Sequence, residues 1–236
     1  MRNLKLIATI AVALILIQAC DSRTFKSAKA DNKADSASYL IGISIGYSIQ
    51  MQKMPTEDVN ADLIAKGIMD VLKSDSSSNV ASMQDANMFL NGYFTELRQE
   101  MATENLEKGK EFLAENKTKP GVIETESGLQ YKVIQEGTGK SPKETDVVRC
   151  HYRGSLLTGE EFDNSYKRDM PAEFALNRVI RGWTEGLQLM KEGGKYELYV
   201  PSDLGYGPRG SQQIGPNETL IFDIELLEVL PSDSTQ

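Results

Sequence analysis

The chain is poor in the residues on which most reactive chemistry depends: 236 residues hold two cysteines, one histidine and one tryptophan. Gly42-Ile43-Ser44-Ile45-Gly46 has the Gly-x-Ser-x-Gly spacing, but it falls inside a stretch of helical periodicity rather than on a strand-to-helix turn, so it forms no nucleophile elbow and the single His151 builds no convincing Ser-His-Asp triad. One His with scattered carboxylates makes no zinc site either. Gly137-Thr138-Gly139-Lys140 lacks the leading glycine of a phosphate-cradling loop and reads as a turn. Basic residues are also in deficit: 26 Lys and Arg against 34 Asp and Glu give a net charge of -8, the wrong sign for a nucleic-acid surface. No metal, no cofactor and no nucleic-acid partner are therefore expected. Long apolar runs are scarce too, the most apolar being Leu6 to Ile17, too short to span a bilayer comfortably.

That short run follows Arg2 and Lys5 and reads as a signal peptide over residues 1–19. It ends in Ile17-Gln18-Ala19-Cys20, which resembles the bacterial lipobox despite the unusual Gln18. Cys20 is thus the expected lipidation site and membrane contact. Two or three acyl chains, at roughly 0.8 kcal/mol per buried methylene, would anchor the chain stably. With Cys20 acylated, Cys150 has no partner for a disulfide, and its strand-like setting Val147–Tyr152 suits a small buried hydrophobe. Residues 20–33 read as the lipidated Cys and a flexible tether.

The hydrophobic share of 40% supports a buried core. From Asp35 the spacing of Tyr39, Leu40, Ile43, Ile45, Tyr47 and Ile49 predicts a helix, which Pro55 ends. A second helix is expected from about Ala61 to Leu72, capped by Asn60, and Ser74 to Asn79 reads as a loop. Ser82 and Asp85 then open a long helix toward Asn116. Its first half has apolar residues at helical spacing (Phe89, Leu90, Tyr93, Phe94, Leu97), which predicts a packed half. Residues 103–110 are polar apart from Leu106, which predicts a stalk through solvent. Three helices so short of apolar residues suggest that two copies share one core; a monomeric bundle is the alternative.

Lys119-Pro120-Gly121 closes the helical region, and period-two texture follows. Strands are expected at Leu129–Gln135, Val147–Leu156, Ala172–Leu176, Lys195–Val200 and Leu220–Val229, with a short helix over Trp183–Leu189. The fold class is α+β: a helical arm over 34–118, a five-stranded antiparallel sheet wrapped around a helix over 119–231, and a tail over 232–236.

Six segments carry a resemblance: Gly128-Leu129-Gln130-Tyr131, His151-Tyr152-Arg153-Gly154, Gly159 to Ser165, Val179-Ile180-Arg181-Gly182-Trp183, Leu204-Gly205-Tyr206-Gly207 and Thr219 to Leu226. In this order they resemble the FKBP family of peptidyl-prolyl cis/trans isomerases, and the helices ahead resemble the dimerisation arm of its Mip/FkpA subfamily. The resemblance implies a homodimer that accelerates X–Pro isomerisation in folding exported polypeptides. It also implies chaperone activity, an outer-membrane location facing the periplasm, and macrolides as candidate inhibitors. A non-catalytic, lipid-anchored binding module for Pro-containing segments is the alternative.

The family's catalytic positions fall on Tyr152, Phe162, Asp163, Trp183, Tyr206 and Phe222, and its substrate-binding positions on Val179, Ile180 and Ile214. The resemblance makes Trp183 the floor, Tyr152, Phe162 and Phe222 the walls, and the Tyr206 hydroxyl and Ile180 N–H the donors to ligand carbonyls. Asp163 either stabilises the distorted amide or fixes Tyr152. Two departures are expected to matter: Ala172 stands where many relatives have an aromatic, implying a shallower rim, and Ser211 to Pro216 replaces a more apolar flap.

Overall fold

The computed structural model describes residues 32–51, 59–73 and 81–230. Cys20, the signal peptide, most of the tether, Pro55, the Ser74–Asn79 loop and the C-terminal tail lie outside them. The chain divides into two compact units, Met1–Gly67 and Ile68–Gln236.

In the first unit α1 (Lys33–Met51) begins where the Asn32 side chain accepts the Asp35 N–H at 2.9 Å. No residue of α1 is buried, and its Tyr39 and Leu40 stand open to solvent. The start of α2 (Ala61–Lys73) is capped by Asn60, which accepts the Leu63 N–H at 3.0 Å, as expected.

The second unit opens on α3 (Met83–Asn116), capped by Ser82: its hydroxyl accepts the Asp85 N–H at 3.1 Å and donates to the Asp85 carboxylate at 2.7 Å. The stretch expected to run through solvent is instead covered along one face. Within the single chain Phe89 is 73% exposed, whereas the face covered by the sheet domain runs from Met101 and Ala102 through Asn105, Leu106 and Gly109 of the polar stretch to Phe112, Leu113 and Asn116. These positions follow the helical repeat, but small and amide side chains occupy several of them, so hydropathy alone does not reveal the stripe. Gly109 lets the helix approach so closely that a Cβ there would lie 2.3 Å from the Thr219 Oγ1. Phe112 packs on Tyr199 with ring centroids 5.9 Å apart. At the helix end the buried Asn116 amide donates to the Gln130 Oε1 at 3.0 Å, and Gln130 donates back to the Leu113 carbonyl at 2.8 Å. The half expected to cross solvent is thus docked on the sheet.

Seven antiparallel strands follow, not five: β1 (Val122–Glu124), β2 (Gln130–Gln135), β3 (Val147–Leu156), β4 (Glu161–Asn164), β5 (Ala172–Ala175), β6 (Lys195–Val200) and β7 (Leu220–Leu230). The two additional strands, β1 and β4, are three and four residues long, too short to show an alternating pattern. The order is β1-β2-β6-β7-β3-β4, and β5 pairs β3 beyond β4. Strand β7 lies at the centre, in register with β3 from Val147↔Leu230 to Leu156↔Leu220 and with β6 from Lys195↔Glu225 to Val200↔Leu220.

Helix α4 (Arg181–Gln188) lies against the sheet. Gly182 and Gly186 make that approach possible, since a Cβ at either would come within 2.5 Å of Val200 or Leu198. Leu187, Leu198, Leu226, Val148 and Met190 are fully buried around it, each large side chain contributing about 1.5–3 kcal/mol by leaving water. Cys150 sits in this core as a free thiol, its pKa pushed up to about 12 by burial.

Candidate active site

Between α4 and the concave side of the sheet is a pocket of about 500 Å³. All nine residues singled out from the sequence line it: Tyr152, Phe162, Asp163, Val179, Ile180, Trp183, Tyr206, Ile214 and Phe222. Five separate segments deliver them, so the clustering is a product of the fold rather than of proximity in the chain.

Trp183, in the first turn of α4, is 4% exposed and is held edge-to-face by three rings. Centroid distances are 5.1 Å to Tyr152, 5.3 Å to Phe174 and 5.2 Å to Phe222, with interplanar angles of 79–88°. Phe162 meets Phe222 in the same manner at 5.6 Å. The Trp183 Nε1–H is the one buried side-chain polar atom among the described residues without a hydrogen-bond partner.

Phe174 and Arg178 also line the pocket and were not anticipated. Ala172 is not among the lining residues, whereas Phe174, two residues further along β5, is. In β5 Ala172 pairs with Cys150 and Phe174 with Val148, so the two side chains share one face of the strand and the aromatic stands two residues further along. The alternation Ala-Glu-Phe was the available signal. Ser211, Gln213 and Ile214 of the altered flap do form part of the wall.

Asp163 is fully engaged. One carboxylate oxygen accepts the Tyr152 hydroxyl, and the other accepts the Asn164 N–H at 2.8 Å and the Arg168 Nη1 at 2.5 Å. Arg168 also donates to the Tyr152 hydroxyl at 3.0 Å and lies over its ring. Of the two roles considered for Asp163, this geometry favours fixing Tyr152. Burial, followed by the bond to Asp163, pushes the Tyr152 pKa up to about 12, so it remains a neutral donor. Burial opposes the Asp163 charge, but the bonds from Tyr152 and Arg168 outweigh it and hold the carboxyl below its usual range. The tie is therefore complete above the ordinary carboxylate pKa and is lost only as pH falls through the lower, folded value. Asp163→Ala is expected to lower activity about tenfold by freeing Tyr152, with the fold retained by circular dichroism; unchanged activity would contradict the positioning role.

Two donors remain for an occupant. The Ile180 N–H precedes α4 and bonds to no group among the described residues, while the Ile180 carbonyl accepts from Trp183 and Thr184. The Tyr206 hydroxyl, whose pKa is raised by burial, makes no hydrogen bond among the described residues. Such a site offers aromatic area to a saturated ring and donors to carbonyls around it.

Residues 138–227 match the family model described as FKBP-type peptidyl-prolyl cis-trans isomerase, and residues 34–133 match the domain amino terminal to it. The outer membrane protein MIP of Legionella longbeachae is 39% identical over 237 residues, covering 96% of this chain and 98% of that protein. The chain belongs to the FKBP-type peptidyl-prolyl cis-trans isomerases. The FKBP-type isomerase FkpA of Aeromonas hydrophila is likewise 39% identical, over 90% of this chain and 83% of its own length. The crystal structure of FkpA from Escherichia coli superposes with a TM-score of 0.63 at 36% identity, covering 86% of this chain and 99% of that one. Membership in the isomerase family makes rotation about X–Pro bonds the reaction of this FKBP. No bond is made or cut in it; the barrier, near 18–20 kcal/mol, is the loss of amide resonance.

Proposed function

We propose that the Trp183-floored pocket is where this FKBP twists the prolyl amide. The observation that carries the reading is the pairing of an aromatic bowl with two unengaged donors, the Tyr206 hydroxyl and the Ile180 N–H. A twisted amide has less charge separation than either planar form, so a water-poor aromatic surface favours it relative to bulk water. The proline ring packs on Trp183 between Tyr152, Phe162 and Phe222, with Val179 and Ile214 beside it. The two donors hold the flanking carbonyls out of plane. Asp163 and Arg168 act one step back, by keeping the Tyr152 ring in place.

Around this centre we place a signal peptide over 1–19, acylation at Cys20, a tether to residue 33, a dimerising arm over 34–118, and the catalytic domain over 119–231 with its tail. The apolar run before Cys20 supports the anchor, and the relative named outer membrane protein MIP supports an envelope location facing the periplasm. Exposed Tyr39 and Leu40 in the first unit and Phe89 and Leu90 in the second support pairing of two copies through the helices, and exposed apolar side chains of this kind also suit the holding of unfolded clients. Macrolides that present a ring and carbonyls to the bowl would compete with substrate. Full-length protein in detergent micelles is expected to accelerate cis-to-trans conversion of a proline tetrapeptide, to scatter light as a dimer, and to incorporate labelled palmitate unless Cys20→Ser is present. Folded protein without isomerase activity would defeat the catalytic assignment, and monomer mass or unlabelled Cys20 would defeat those of the arm and the anchor.

A further inference from the structure

The long helix α3 meets the proline pocket indirectly, through the loop that forms one wall of it. That loop places Ser211, Gln213 and Ile214 along the pocket, and it closes on itself where the Ser211 N–H donates to the Ile214 carbonyl at 2.8 Å. Both of its ends are in left-handed backbone: Gly210 at φ 62° and Asn217 at φ 55°. For Asn217 that conformation is sparsely populated even though Asn tolerates it better than most residues, so something must hold it. Its N–H donates to the Gly207 carbonyl at 2.9 Å, and the rest of the hold comes from the helix.

The hold is reciprocal. Asn105 on α3 donates its side-chain amide to the Pro216 carbonyl at 2.9 Å and to the Glu218 carboxylate at 3.1 Å. Asn217 on the loop donates its own amide to the Ala102 carbonyl of the helix at 3.0 Å. One turn further along, Gly109 against Thr219 keeps the backbones close enough for both bonds. Asn105, a polar residue that breaks the apolar pattern of α3, is thus the side chain with which the helix grips the stem of a substrate-binding loop.

We propose that Asn105 is a positioning residue for the isomerase reaction: from the helical arm, through its bonds to Pro216 and Glu218 and the return bond from Asn217, it sets the loop that carries Ile214 and Gln213 into the substrate-bound conformation. The inference rests on the pocket being the site of the reaction. Without the clamp the loop spends less time in the conformation that receives substrate, and apparent affinity falls by that fraction. The twisting step over Trp183 is untouched, so the loss falls on KM and not on kcat.

Asn105→Ala tests this in the full-length protein in detergent micelles, because Ala removes both amide bonds while being the residue most favourable to the helix itself. KM for a proline tetrapeptide is expected to rise about fivefold, the scale of one or two modest hydrogen bonds, with kcat within about twofold of the parent. Amide hydrogen exchange is expected to quicken at Ser211 and Asn217 while β3 and β7 keep their protection. Asn217→Gly removes the reciprocal bond but retains a residue at ease with positive φ, and it is expected to shift KM and exchange in the same direction. Unchanged KM in both variants, or exchange that rises evenly over the whole domain, overturns the proposal. Should the parent protein fail to isomerise the peptide, the pocket assignment is what falls, and the exchange pattern still decides whether the clamp holds the loop.

Discussion

Trp183→Ala is expected to cost this FKBP both its activity and much of its stability. The indole is 4% exposed and touches Tyr152, Phe174 and Phe222 edge-to-face, so its removal leaves a cavity with three rings facing nothing. Truncations of this kind cost about 3–5 kcal/mol. Because the same ring is the floor on which the proline would lie, kcat/KM is expected to fall at least about a hundredfold even in the fraction that remains folded. Trp183→Phe separates the two effects. It keeps a ring under the substrate and deletes the Nε1–H that has no partner, a group whose burial costs about 1–3 kcal/mol and whose loss offsets part of the smaller ring. The Phe variant is therefore expected to retain most of the stability and a measurable share of the activity, by thermal melting and by the tetrapeptide assay. An Ala variant that stays folded and fully active would remove Trp183 from the mechanism.

Gly154→Ala is the second large effect, and it reaches the pocket from behind. Gly154 on β3 pairs with Phe222 on β7 and with Asp163 on β4. A Cβ there would lie 2.6 Å from two ring atoms of Phe162 and 2.9 Å from Phe222, closer than carbon atoms approach one another. Both walls must then shift. Overpacking of this order costs about 1–3 kcal/mol, and activity is expected to fall by about tenfold or more because the T-shaped Phe162–Phe222 pair is what narrows the bowl. Normal activity in a folded Gly154→Ala protein would show that the walls need no fixed spacing.

The sequence was most informative where a residue's surroundings repeat along the chain. Strand β7 and strand β3 alternate cleanly, and both were placed within a residue or so. The Ser82 and Asn60 caps were readable because capping is local chemistry between residues three apart. The pocket residues were legible only through the six-segment resemblance, since an aromatic at strand spacing is otherwise an ordinary core residue. Phe174 escaped because the aromatic was sought at Ala172, two positions away on the same face. The packing of α3 escaped for a different reason: Gly109, Asn105 and Asn116 interrupt its few apolar contacts at Met101, Leu106, Phe112 and Leu113, and an amide that buries itself by hydrogen bonding has no hydrophobic signature. Strands β1 and β4 are fixed by their partners rather than by their own few residues.

The position of β7 has a consequence for biosynthesis. The strand that separates β3 from β6 follows both of them in the chain, so the two neighbours emerge with nothing to join them until β7 has been made. The isomerase sheet therefore cannot close from its N-terminal strands alone, and a truncation at residue 219 would leave two half-sheets, β1-β2-β6 and β3-β4-β5, rather than a shortened enzyme.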